Sequence, residues 1–343
     1  MKLFKSLLVA PAALGLLAPM SATANEVTIG DFTPAEELAI TNSRVDGLEA
    51  RLNNIEAGSF SETTTASFSA DMYLGAVTGG TRNDQTEPDE LGDAVMAAYS
   101  FQIDLNTSFT GEDSLDISLD AGNTTTSDLG IVEFDGNATV DALKVDGVSY
   151  TFPLGDKMTV IVGDNTDGSA LFTTSCTYGG PTNTLDDCGN VNAGITNGGA
   201  MVGASYDFGS GFTAAVGYAA GDTDMATGLL TKETLDAYGV NASYTGDNFG
   251  VSVTYGLVET SSTDEDTFTA FNGYYSPEGF PSISVGYEIG EDGSVTDKTA
   301  DELTSFFVGL QFDELGPGTA GIALGTKTPT VEKTDEQYMY EAY

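Results

Sequence analysis

The chain has 343 residues, 42 of them glycine, with no histidine and no tryptophan, and its 52 acidic and 11 basic side chains give a net charge of -41. So few basic side chains cannot neutralise a phosphate backbone, which excludes nucleic acid as a partner. Without histidine there is no imidazole base and no ordinary catalytic triad. The composition therefore predicts neither an enzyme nor a bound cofactor or metal.

The N-terminal segment has the three parts of a cleaved secretory signal. Lys2 and Lys5 precede an apolar core near residues 7–17, and Ala22 to Ala24 form a small-residue cleavage site. This core is too short for a bilayer-spanning helix, which needs roughly 20 residues. We predict a signal peptide over residues 1–24 and export of the remaining chain.

One helical pattern follows the signal. Pro34 opens it and Gly58 ends it, as helix-end preferences predict. Its apolar residues have the spacing of a coiled-coil seam, and they are Val45, Leu48, Leu52 and Ile55. We predict a periplasmic linker and coiled-coil helix over residues 25–58 that ties copies into a trimer. About two heptads are marginal alone, so a single amphipathic helix packed on the main domain is the alternative.

From about residue 65 the apolar residues fall on every second position. Between Tyr99 and Phe109 the odd-numbered residues are mostly apolar and the even-numbered ones are polar. The same period recurs in about fourteen segments, each of the length that a tilted membrane strand requires. Tight turns such as TGED and SPEGF alternate with long polar segments such as 164–199. We predict an all-β, antiparallel transmembrane β-barrel over residues 62–343, with a secreted β-sandwich or β-helix as the alternative.

Acidic side chains recur on the polar face of these strands. They are Asp71, Asp104, Asp116, Asp120 and Asp207. Rings of carboxylates favour cations, so we predict that these residues line the pore, with solvated carboxylates of no selective role as the alternative. If Phe109 pairs with Leu115 across the turn, Asp104 lies opposite Asp120.

Two cysteines, Cys176 and Cys188, lie in the long segment 164–199. In an exported protein two nearby cysteines most simply form a disulfide. We expect this segment to fold into the pore and the disulfide to stiffen it. Because the chain has no histidine, a metal bound by a free cysteine pair is not expected.

Four segments of the strand region stand out: SFTGEDSLDISLDAGN, SYTFPLGDKMTVIVG, YYSPEGFPSISVGY and SFFVGLQFDELGPGTAGIALG. They resemble segments of cyanobacterial-type outer-membrane porins, the iron-uptake branch related to the carbohydrate-selective porins, and RVDGLEARLNNIEAGSFSETT resembles the linker before the barrel of those proteins. The resemblance implies a trimer of sixteen-stranded barrels, each narrowed by a folded-in loop, that passes small solutes. Family members usually carry a surface-layer-homology domain before the coiled coil. Only NEVTIGDFT fills that place, so wall anchoring through such a domain is not supported.

The last segment, EQYMYEAY, has Tyr338 and Tyr340 in one phase and Glu341 and Tyr343 in the other. Lipid disfavours Glu341, so the tyrosine pair faces outward and Tyr343 faces inward. In the family a similar segment is followed by a final hairpin. We therefore predict that the barrel is incomplete at its C-terminal end.

The sequence thus predicts an outer-membrane porin in the lipid bilayer, a passive, water-filled and weakly cation-favouring channel for inorganic ions and small hydrophilic solutes. One alternative is a carbohydrate-selective porin, for which Tyr73 or Tyr275 would supply the aromatic surface that sugars prefer. A plugged structural barrel or adhesin is the other.

Overall fold

The computed structural model describes residues 42, 44–45, 64–75, 95–123, 139–180, 182, 184–196, 198–221, 229–231, 235–295, 301–316, 318–326, 330–331 and 338–343. The chain divides into two compact units, Met1–Ser59 and Phe60–Tyr343. In the first unit the three described residues are helical, and Val45 is 43% exposed. The predicted signal peptide and the seam residues Leu48, Leu52 and Ile55 lie outside the described residues. The coiled coil is not shown and stays a prediction.

The second unit is built from β-strands. Their bounds are β1 Thr64–Gly75, β2 Met96–Thr107, β3 Ser114–Gly122, β4 Lys144–Pro153, β5 Met158–Asp164, β6 Ala200–Gly209, β7 Phe212–Ala220, β8 Asp236–Thr245, β9 Phe249–Glu259, β10 Glu265–Tyr275, β11 Ser282–Glu291, β12 Glu302–Leu315, β13 Gly318–Gly325, β14 Thr330–Val331 and β15 Met339–Ala342. Among the described residues no helix is long and apolar enough to cross a membrane.

All the strands belong to one antiparallel sheet in which neighbours in sequence are neighbours in space. The two-residue β14 pairs with β12 beside β13, so β13 and β14 count as one interrupted strand. The order runs from β1 to β15, with no pairing between these two strands among the described residues. The predicted number of about fourteen strands is therefore confirmed.

The two faces of the sheet have the polarity of a membrane barrel rather than of a soluble protein. On the outer face large apolar side chains are exposed, among them Met72 at 88%, Val251 at 51% and Ile322 at 59%. On the inner face polar side chains are buried, including Asn241, Thr254 and Ser284. A secreted sandwich would bury its apolar face instead, so that alternative is wrong.

Short turns join the strand pairs at one end of the sheet, and the first of them corrects the predicted register. The side chain of Asp113 accepts hydrogen bonds from the backbone N–H groups of Phe109 (3.0 Å) and Thr110 (2.7 Å). Residues 108–113 are thereby held in a turn, and Thr107, not Phe109, pairs with Leu115. A shift of two residues leaves every side chain on its predicted face, because the side-chain period of a strand is two.

This shift changes which acidic residues oppose each other. Asp104 lies opposite Ser118 and Asp120 lies opposite Gln102. The predicted pairing of Asp104 with Asp120 is therefore wrong. Each of the two carboxylates now has a neutral hydrogen-bonding residue across the strand pair, which avoids the repulsion between like charges directly opposite.

The apolar core lies between the inner face of the sheet and the connection from β5 to β6. We call residues 165–199 of this connection the inner loop. Its side chains Ile195, Leu185 and Tyr178 are buried against inward-facing residues such as Met201 and Phe307. Because the inner loop contacts the same face of strands as far apart as β8 and β15, the sheet curls around it.

Candidate functional site

The inner loop runs along the inner wall toward the short turns, and its backbone N–H groups bind side chains of the wall. The N–H groups of Thr173, Ser175, Thr177 and Gly179 donate to the side-chain oxygens of Asn241 on β8 (3.0 Å), Ser252 on β9 (2.9 Å), Ser284 on β11 (2.9 Å) and Gln311 on β12 (2.8 Å). By strand register, each acceptor lies two residues closer to the short turns than the one before. The alternation of the donors is that of an extended segment, whose successive N–H groups point to opposite sides.

A buried carboxylate holds the returning half of the inner loop. Glu288 on β11 is 1% exposed. It accepts hydrogen bonds from the N–H groups of Asn192 (2.9 Å) and Ala193 (2.8 Å), and from the Asn192 side-chain amide (3.0 Å). Three hydrogen bonds from the inner loop thus converge on this one side chain, so Glu288 fixes this part of the inner loop to the wall.

A second carboxylate holds the part of the inner loop around Tyr178 and Thr182. Glu341 on β15 accepts hydrogen bonds from the hydroxyls of Tyr178 (2.7 Å) and Thr182. The Tyr178 ring also lies 5.9 Å from that of Tyr343. Burial, followed by the hydrogen bond to Glu341, raises the pKa of Tyr178 well above its usual value. Glu341 and Tyr343 thus face inward, and Tyr178 stays a neutral donor.

The sulfur atoms of Cys176 and Cys188 are bonded to each other, with their Cα atoms 6.4 Å apart. Cys188 is fully buried, and its carbonyl oxygen accepts a hydrogen bond of 2.8 Å from the side chain of Asn272 on β10. The bond therefore links the descending segment near Thr177 to a part of the inner loop that the wall already holds. It closes a ring within the inner loop rather than joining the loop to a strand.

Another part of the inner wall, on strands β1 to β3, carries four of the predicted acidic residues. Successive levels of the strand register contain Asp116, Asp104, Asp120 and Asp71, in that order away from the short turns. Levels on one face are two residues apart, which is about 7 Å along a strand. We call these four residues the acidic wall.

Neighbouring polar side chains orient the acidic wall. Asp104 accepts hydrogen bonds from Ser118 (2.7 Å) and Gln102 (2.8 Å), and Asp116 accepts one from Ser114 (2.7 Å). Asp71 is exposed, Asp104 and Asp116 are partly exposed, and Asp120 is 7% exposed. Within the described part of the barrel the basic residues are Lys144, opposite Asp120, and Lys157 in a turn.

The fifth predicted acidic residue lies elsewhere. Asp207 is in the inward phase of β6, but its carboxylate accepts the N–H of Gly209 (2.7 Å) at the β6–β7 turn. Its nearest role is to shape that turn. The structure therefore groups four of the five predicted residues and separates Asp207 from them.

Residue-pattern reasoning did not single out Glu288, Asn241, Ser284 or Gln311. Each lies in the polar phase of its strand, which is the only local signal for them. Their partners are about 70 to 130 residues away in the chain. Among the described residues, no group of three or more acidic or cysteine side chains is placed to hold a metal ion.

The antiparallel sheet is apolar outside and polar inside, and a loop on its inner wall narrows the lumen. These features define a porin-like β-barrel, and solved structures of porins have the same fold. Three engineered variants of the porin of Rhodopseudomonas blastica each match with a TM-score of 0.50 and 13% identity, over 81% of this chain and 88% of theirs. No family model matches the chain, and neither does any curated protein.

These neighbours confirm the predicted fold class. At this identity they show the fold alone. They support a porin-like barrel but not the cyanobacterial iron-uptake branch within it.

Proposed function

We propose that this protein is a passive, water-filled channel of the outer membrane that weakly favours cations and passes inorganic ions and small hydrophilic solutes. The observation that supports this function is the acidic wall on the inner face of β1 to β3, together with an inner loop that covers the inner face of other strands, such as β8 and β11. The inner loop narrows the path, and the acidic wall gives it its charge. No chemical step is required, so no enzymatic activity is proposed.

The preference for cations follows from the spacing of the charges. Adjacent levels of the acidic wall are about 7 Å apart, less than the Debye length of about 10 Å at 0.1 M salt. A cation that leaves one carboxylate is therefore already attracted by the next. Because a water-filled lumen screens these charges at higher salt, the selectivity is weak and depends on ionic strength.

The test is the reversal potential of the purified protein in a planar bilayer with a salt gradient. Replacing Asp71, Asp104, Asp116 and Asp120 together with asparagine keeps the size of each side chain and removes its charge. We expect the cation preference to fall, most strongly at low salt. Asp156→Asn is the matched control, because Asp156 is exposed in the β4–β5 turn and should leave the reversal potential unchanged. A permeability ratio that stays fixed in the fourfold variant would refute the selective role of the acidic wall.

The alternatives make different predictions in the same recording. Of the two tyrosines considered for sugar binding, Tyr73 lies in the inward phase, whereas Tyr275 is 48% exposed on the outer face. A carbohydrate-selective pore would show a current that added sugars block. A plugged structural barrel would show no current at all.

We propose a homotrimer in which the seam of Val45, Leu48, Leu52 and Ile55 joins three copies, in keeping with the resemblance to the cyanobacterial branch. Disruption of that seam should alter the oligomer and leave the conductance of each barrel intact.

A further inference from the structure

A row of glycines crosses the inner wall at the level where the inner loop enters the lumen. Gly203 on β6 is paired with Gly217 on β7, Gly217 with Gly239 on β8, and Gly239 with Gly256 on β9. All four lie in the inward phase of their strands. Glycine in a strand interior is unfavourable and often marks a close approach of other backbone, so four in register require a reason.

The inner loop occupies the space that side chains would fill at three of these positions. A Cβ atom on Gly217 would overlap the carbonyl oxygen of Gly168. On Gly256 it would lie 2.8 Å from the carbonyl oxygen of Ala193. On Gly239 it would meet the ends of two side chains, Ile195 at 2.8 Å and Phe172 at 2.9 Å.

The contacts involve both the entering and the returning parts of the inner loop. Gly168 and Phe172 precede the segment that donates to β8, and Ala193 and Ile195 follow the disulfide. Ala193 and Ile195 are fully buried. Protein interiors are close-packed, so a contact of this kind transmits a displacement rather than absorbing it.

We propose that Gly217, Gly239 and Gly256 are positioning residues that determine the bore of the channel, because they allow the inner loop to lie flat against the wall. This inference rests on the proposed channel function. A methyl group at any of the three lifts the inner loop away from these strands and into the lumen, so the path past the inner loop becomes narrower. We call the contact of Gly217, Gly239 and Gly256 with the inner loop the seat. The seat, and not the sequence of the inner loop alone, sets the size of solute that passes.

The test compares Gly→Ala variants at the three positions by single-channel conductance and by the largest polyethylene glycol that enters the pore. We expect both to decrease, least for Gly239→Ala, whose neighbours are side-chain ends that can move, and most for Gly217→Ala, which meets backbone. Gly273→Ala is the control. Gly273 lies on the outer face of β10, where a Cβ atom would have its nearest neighbour at 3.4 Å, and its replacement should leave both quantities unchanged.

A background without these two side chains tests the contact itself. Replacing both Ile195 and Phe172 with alanine removes the side-chain ends that Gly239→Ala would meet, so Gly239→Ala should cost less conductance in that background than in the native chain. Equal effects in both backgrounds would show that Gly239 acts independently of the inner loop.

A second measurement separates this inference from the proposed function. Lifting the inner loop should expose the buried Cys188 and speed reduction of the disulfide by dithiothreitol in detergent, whether or not the barrel conducts. A silent wild-type protein with faster reduction in the glycine variants would overturn the channel and keep the seat. A conducting wild-type protein whose glycine variants have unchanged or larger conductance would overturn the seat and keep the channel.

Discussion

Replacing Glu288 with alanine should release the returning half of the inner loop without unfolding the barrel. The substitution leaves the N–H groups of Asn192 and Ala193 without their acceptor. A buried donor that loses its partner costs about 1–3 kcal/mol, so the docked state loses about 2–6 kcal/mol for the two groups. Since 1.4 kcal/mol is a factor of ten, the undocked population rises at least about 30-fold.

The assay is single-channel recording, in which the native channel should be steady and the Glu288→Ala channel should flicker between two current levels. Glu288→Gln is the matched control. Its oxygen can accept the two backbone N–H groups, and its amide can donate to Asn192 if that side chain rotates by half a turn. We therefore expect Glu288→Gln to be much steadier than Glu288→Ala. A Glu288→Ala channel with native noise and native conductance would refute the idea that this carboxylate holds the inner loop.

Ile103→Arg places a charge on the outer face at a cost of about 2–4 kcal/mol and should prevent membrane assembly, whereas the neighbouring inward change Gln102→Arg should assemble; equal assembly would contradict the assignment of faces. The hydroxyl of Tyr150, followed by the donors of residues 108–110, lowers the pKa of Asp113 below its usual value, so its stabilisation is present above the unfolded pKa of about 3.9 and lost as the pH falls through the folded pKa. Asp113→Ala should therefore lower the temperature of the heat-induced gel shift at pH 7. The difference between the native and variant temperatures should become smaller in strong acid, and a difference that does not depend on pH would contradict this role of Asp113. Cys176→Ser with Cys188→Ser removes a constraint of roughly 2–4 kcal/mol and should increase current noise, while a steady channel would show that the wall alone suffices. Leu48→Asp with Leu52→Asp should weaken the proposed trimer, because the proposed seam would then bury unpaired charge, and unchanged migration on a gel would assign the helix another role.

The inner loop shows where prediction from the sequence stopped. The sequence indicated that residues 164–199 enter the pore and that their two cysteines are close. It could not indicate that Thr177 binds Ser284 or that Tyr178 binds Glu341, which are 107 and 163 residues apart in the chain. A polar residue at an inward position of a strand can either face water or hold the inner loop, and the alternation does not distinguish the two. Asn241, which holds the inner loop, and Gln102, on the strands of the acidic wall, have the same local pattern.

The register of the first hairpin shows the same limit at short range. The alternation predicted that Asp104 and Asp120 share a face, but their opposite neighbours depended on how Asp113 folds the turn. The glycine row is a further case. Gly217, Gly239 and Gly256 are ordinary glycines in the sequence, and only pairing of their strands places them at one level.

What the sequence by itself determined is the two-sidedness of this protein, because the side-chain period of a strand is a local property and alternation fixes which residues meet lipid and which face inward. The tertiary structure decided how the inward face is divided between strands that hold the inner loop and strands that carry the acidic wall. That division depends on strand register and on the path of the inner loop. Both arise from contacts between distant parts of the chain, where the loss of chain entropy on closure is offset only when many groups come together at once.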